Sequence, residues 1–89
     1  VLLWAEGAFL AVEAARLLLD CGVGLVGTDG PSLDDEPYPV HRLLLGHDVL
    51  VAENLCGLER LGPGPVTCAF LPLAIVDVDG APVRAVAWR

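Results

Sequence analysis

Hydrophobic and polar positions change their period several times along this chain, and each change marks an element. From Gly7 to Cys21 the polar residues Glu13, Arg16 and Asp20 fall three and four apart on one stripe, while Phe9, Leu10, Val12, Leu17, Leu18 and Leu19 cover the rest. That spacing predicts a helix buried on most sides. Gly22 stands where a C-terminal cap belongs, and the stretch VGLVGTD then carries apolar and β-branched residues into a predicted strand ending near Asp29. GPSLDDEPYP has no period and reads as a loop. Pro39 suits the first turn of a short helix and Gly46 its end, and DVLVAEN follows as a strand. LCGLERLGPGP reads as a turn or short helical piece. Finally, VTCAFLPLAIV and PVRAVAW flank DVDGA, whose Asp79-Gly80 pair predicts a tight reversal and a closing hairpin. Pro72 within the first of these strands implies an edge or a bulge. Helix-then-strand units followed by a hairpin predict an α/β fold.

The amount of apolar sequence changes that picture. A chain of 89 residues buries only about 60% of the surface it exposes when unfolded. Yet 55% of this one is hydrophobic, and its Leu and Val runs demand covering on both faces. It also opens on Val1 and holds no methionine. The expectation is a part of something larger. Twelve Asp and Glu against five Arg and no Lys give a formal charge of −7, a surface that repels phosphate backbones and argues against a nucleic-acid partner. The opening VLLWAEGAFLAVEAARLLL is apolar, but Glu6, Glu13 and Arg16 interrupt it and no basic segment precedes it, which argues against a membrane span or a signal peptide.

Several features resemble chemistry and reduce to structure. Gly22, Gly24 and Gly27 match G-x-G-x-x-G, but they follow a helix and lie within a strand, whereas a dinucleotide site needs them between a strand and a helix. Cys21, Cys56 and Cys68 lack the spacing of a metal knot or a disulfide framework and read as reduced thiols, which makes cytoplasm the default location. A buried inert thiol is the reading for Cys56. Asp34, Asp35 and Glu36 lack the rhythm of a calcium loop and read as a solvated loop. Ser32 has no nucleophile elbow around it, so its task is local bonding of the turn. Asp29, at a strand end, is placed to orient a neighbouring ligand. His47, in the turn after Gly46, reads as solvent-exposed.

One pair stands apart. If His41 lies in the first turn of its helix, the chain advances roughly 7 Å to the turn at about 1.5 Å per residue, and the strand from Val49 to Glu53 returns roughly 13 Å at about 3.3 Å per residue. Both groups then finish at the same end of the unit. Strand alternation places Glu53 on the apolar face of Val49 and Val51, where a charge needs a partner. A divalent metal shared with a neutral His41 would satisfy it, the helix dipole helping to keep the imidazole unprotonated. The alternative is a surface His41 with Glu53 paired to Arg42, Arg60 or Arg84. Spacing leaves both open.

Three segments, EAARLLLDCGVGLVGTDGPSLD, PVHRLLLGHDVLVAENLCGLERL and FLPLAIVDVDGAPVRAVA, together resemble the C-terminal part of the cyclase family, which includes bacterial kynurenine formamidases and isatin hydrolases. The resemblance runs from about Glu13 to Ala87 with the segments in order. It implies that residues 1–89 are the C-terminal part of a single swivelling β/β/α cyclase-like domain, of a metal-dependent hydrolase that is usually dimeric and uses zinc or manganese. The histidine of the HR-x-LL segment and the glutamate of the EN-L segment are metal ligands in that family, and these match His41 and Glu53. The implied reaction is hydrolysis of a small-molecule amide such as an aryl formamide by metal-activated water.

Two departures accompany the resemblance. The family's other ligands and its remaining active-site histidine lie in an H-x-G-T-H-x-D-x-P segment that nothing in this sequence matches, so the 89 residues by themselves are expected to be inactive. Cys56-Gly57 stands where the family commonly has Thr-Asn. A non-catalytic binding or assembly module that keeps the fold is the alternative reading.

Overall fold

The computed structural model covers residues 1–89. Three short parallel strands form one sheet: β1 (Leu2–Leu3), β2 (Leu25–Thr28) and β3 (Leu50–Ala52), in the order β1-β2-β3. Helix α1 (Val12–Asp20) connects the first two and α2 (Pro39–Leu45) the second two. With strand order following chain order, both crossovers run the same way and lay their helices on one face of the sheet. There Ala15 of α1 and Val40 and Leu44 of α2 meet Val26, Leu33 and Val49, a core of six fully buried apolar side chains.

The ends of α1 follow local rules at one terminus only. Gly22 has φ +75°, and the N–H groups of Gly22 and Val23 donate to the carbonyls of Leu19 and Leu18 at 2.9 and 3.2 Å, the paired bonds of a Schellman cap. The N-terminus is shorter than the polar stripe predicts, at Val12 rather than Gly7. Glu6 and Gly7 both take positive φ, and the N–H groups of Ala5 and Glu6 donate to Asp29 instead of entering a helix. Nor is α1 buried on most sides, since Leu17 is exposed beside the polar stripe and only Ala15 is fully covered. Strand β1 was not predicted; two leucines carry no alternation to read.

Gly27 settles the role of the glycine motif. A Cβ there would come within 2.7 Å of the side chains of both Leu2 and Leu55. The glycine lets these two leucines close over the central strand, and the next helix begins only at Pro39.

After a 3₁₀ turn at Leu58–Arg60, strands β4 (Thr67–Pro72) and β5 (Val83–Trp88) pair antiparallel, from Thr67 with Trp88 to Pro72 with Val83. The hairpin is as predicted, but its connection is not a tight reversal. Asp77, and neither Asp79 nor Gly80, takes a positive φ, so the two-residue turn that needs left-handed geometry at both central positions does not form. The ladder ends at Pro72, which has no N–H to donate.

Between the hairpin and the helix-free face of the parallel sheet lies an open cleft of about 1240 Å³, lined by Leu2, Leu25, Leu50, Leu55, Phe70 and others. Only ten of the 89 residues are fully buried, and large apolar side chains such as Leu50 and Leu71 are exposed. No helix is long and apolar enough to cross a membrane.

Candidate metal centre

The site forms where α2 begins and β3 ends. Pro39 opens α2 with its φ preset and no N–H to satisfy, which puts His41 in the first turn. Leu50 and Val51 pair with Leu25 and Val26. Val51 therefore lies on the helix-covered face with Val26, and Glu53, two residues on, projects towards α2. Asn54 then takes φ 57°, a conformation that asparagine tolerates. The N–H groups of Asn54 and Leu55 donate to Gly30 and Thr28 at 2.8 and 3.0 Å. These bonds fix the backbone just after the glutamate, and the pairing of Ala52 with Gly27 fixes it just before.

The two predicted residues meet. His41 Nε2 lies 2.7 Å from Glu53 Oε1. No arginine comes within ion-pair distance of Glu53; Arg60 approaches Glu59 instead, at 3.9 Å. The surface-pair alternative for Glu53 is thereby removed.

A third member was not foreseen. Asp34, read from the sequence as part of a solvated acidic loop, is buried, while its neighbours Asp35 and Glu36 are exposed. Its Oδ1 accepts a short hydrogen bond from His41 Nδ1, and its Oδ2 accepts from the Val40 N–H at 2.6 Å. The carboxylate thus caps α2 from outside the helix and holds the imidazole. Leu33 draws it inward. That side chain sits in the core, and the Leu33 carbonyl accepts the Leu10 N–H at 2.9 Å. The one signal in the sequence was this single apolar residue within the polar loop.

Burial opposes charge on His41, but hydrogen bonds to Asp34 and Glu53 and their negative charge outweigh it, so its pKa is raised. The helix-dipole argument for an unprotonated imidazole is therefore reversed: without a metal, the two carboxylates favour the imidazolium. Tyr38 closes one side, its ring edge-on to His41 with centroids 5.7 Å apart.

The remaining candidates fall elsewhere. Asp29 does not reach the pair; it accepts the Ala5 and Glu6 N–H groups at 2.7 and 3.2 Å, and the Ala5 bond chiefly holds its carboxyl below the ordinary range. Ser32 has the local task predicted for it, donating to the Asp34 carbonyl at 2.5 Å. His47 is exposed, and its Nδ1 lies 2.8 Å from the Leu43 carbonyl. Cys56 is exposed, contrary to the buried thiol predicted, because the turn after Asn54 carries it outward; all three cysteines are free.

Whether this donor set fits a metal can be judged from its chemistry. An imidazole nitrogen and a carboxylate oxygen converge, and the other ring nitrogen is held by a second carboxylate, the usual support of a metal-binding histidine. Such donors suit zinc or manganese. They fit as part of a site only, since no three ligating side chains group closely enough to hold an ion and a catalytic zinc takes about three from the protein.

Comparison with known proteins agrees with the resemblance read from the three segments. No family model matches the chain. It is 40% identical over 81 residues to a kynurenine formamidase of Bacillus cytotoxicus, covering 88% of this chain and 38% of that protein. A kynurenine formamidase of Bacillus cereus is 39% identical over 80 residues, with 86% and 38% covered. Among solved structures, a potential metal-dependent hydrolase with cyclase activity superposes with a TM-score of 0.70 at 33% identity, over 86% of this chain and 39% of that one. The chain thus spans under two-fifths of the length of the relatives it matches. Over most of its own length it is similar to these proteins.

Proposed function

We propose, from the premise that this chain is kin to the kynurenine formamidases, that it forms the C-terminal part of a metal-dependent amide hydrolase in which His41 and Glu53 bind the divalent ion. The observation that carries this reading is the convergence of His41 Nε2 and Glu53 Oε1 at 2.7 Å. It occurs at the carboxyl end of β3, where open α/β sheets place their ligands. In this reading residues 1–89 belong to a single swivelling β/β/α domain, and the remaining ligands come from other residues of the whole protein. That protein would be a cytoplasmic homodimer acting on a small-molecule amide, an aryl formamide being the substrate class its relatives' name points to.

When bound, a zinc or manganese ion polarises the scissile carbonyl and lowers the pKa of bound water towards ~7. The chain's own residues prepare for it. Asp34 engages His41 Nδ1 and leaves Nε2 turned towards Glu53, where the ion would bind. Glu53 supplies negative charge that offsets part of the ion's own. Both must be deprotonated to ligate, and His41 therefore has to release the proton that the carboxylates favour. In the overall reaction water adds to the formyl carbon, the C–N bond breaks, the amine nitrogen takes a proton and formate leaves.

The test is hydrolysis of an aryl formamide by the full-length protein, before and after chelation. Activity is expected to be lost on chelation and restored by zinc or manganese; hydrolysis that persists without metal would contradict the reading.

A further inference from the structure

We infer that Asp34 is a positioning residue of this site, fixing the proton on His41 Nδ1 so that Nε2 alone is free to ligate. The inference rests on the proposed role of His41 as a ligand and assigns the tautomer on which that role depends. Asp34 lies outside the pair that the sequence marks, and three observations carry it inward.

The carboxylate has no freedom to turn. Its Oδ2 accepts the Val40 N–H at 2.6 Å, which fixes Oδ1 on the His41 ring. The Ser32 hydroxyl holds the Asp34 carbonyl, and Leu33 is anchored in the core beside it. Asp34 is also closed to water where Glu53 is open: their side chains are 6% and 29% exposed. Water can therefore replace Glu53 at Nε2 but cannot replace Asp34 at Nδ1. Finally, an ionised carboxylate only accepts, so the ring nitrogen facing it must carry hydrogen.

Asparagine tests this without changing shape. Two donors, the Val40 N–H and the His41 Nδ1–H, now share the two carboxylate oxygens. An asparagine has one acceptor oxygen and one donor group in the same places. With its oxygen on Val40, its NH₂ faces Nδ1, and the ring proton is driven to Nε2, the atom the metal needs.

The experiment uses the full-length protein with zinc alone as probe. Zinc affinity is measured for the wild type, Asp34→Asn and His41→Ala. In parallel, the ¹⁵N shifts of the His41 ring are recorded in the metal-free protein at a pH where the ring is neutral. The expected wild-type signature is Nδ1–H, and Asp34→Asn is expected to show Nε2–H with zinc binding weakened by about 10- to 100-fold. A merely structural role for Asp34 would leave the tautomer unmoved. An Nε2–H wild type would overturn the inference even if the variant failed to fold. So would Asp34→Asn binding zinc like the wild type while His41→Ala loses it, and the ligand reading would then stand. Undiminished zinc binding by His41→Ala would overturn the ligand reading itself, and the inference with it.

Discussion

Glu53 Oε1 and His41 Nε2 lie 2.7 Å apart because the chain between them goes out along a helix and returns along a strand. The helix rises from Pro39 to Leu45, the turn at Gly46–Asp48 reverses it, and β3 brings the carboxylate back to the level of the first helical turn. Neither residue could be moved one position without losing the other. A shift of one along β3 would put the carboxylate on the opposite face of the sheet.

The protonation of His41 gives a prediction for the metal-free protein. Burial works against its charge, yet Asp34 and Glu53 prevail and raise the folded-state pKa above the unfolded value of about 6.5. A group with a raised folded pKa contributes stability that is complete below the unfolded value and is lost as pH rises through the folded one. Urea unfolding of metal-free wild type and His41→Ala should therefore show a stability difference that shrinks as pH rises from about 6.5. A difference that grows with pH would contradict the assignment. Metal affinity should move the other way and strengthen over the same range, because the ligand must be free of its proton.

The uncovered sheet face gives a second prediction. Leu50 is 63% exposed here, and replacing a side chain so exposed ordinarily changes stability by no more than about 0.5 kcal/mol. If the rest of a single domain covers this face in the whole protein, Leu50→Ala there should cost about 2 to 5 kcal/mol, the amount lost from a packed core. Denaturant unfolding of the full-length variant decides the matter. A change of only a few tenths of a kcal/mol would mean that the face stays open.

These tests rest on features that differ in how far the sequence revealed them. Helix α2 was legible because Pro39 and Gly46 bracket it, and the end of α1 because Gly22 must be where a left-handed residue is needed. Long-range bonds were not legible. Asp29 ties down Ala5 and Glu6 from 24 and 23 residues away, and no periodicity within the first ten residues could announce that the helix would wait until Val12. The Asp79-Gly80 pair misled for a different reason: the ladder stops at Pro72 and Val83, well short of it, so the pair lies within a longer connection whose positive φ falls at Asp77.

The site was half legible by the same logic. His41 and Glu53 could be placed together from rise per residue and strand alternation. Asp34 reaches the α2 N-terminus from a loop that bends back on itself, and only its burial separates it from two exposed acidic neighbours. Burial of that kind is a property of the folded loop and not of its composition.

The most direct measurement is the metal content of the purified full-length protein beside its His41→Ala and Glu53→Ala variants, with folding checked by circular dichroism. The account predicts bound zinc or manganese in the wild type and its loss from both variants with the fold retained. Hydrolysis of an aryl formamide should fall in parallel. Folded variants that keep their metal and their activity would contradict it and make the His41–Glu53 contact a structural one.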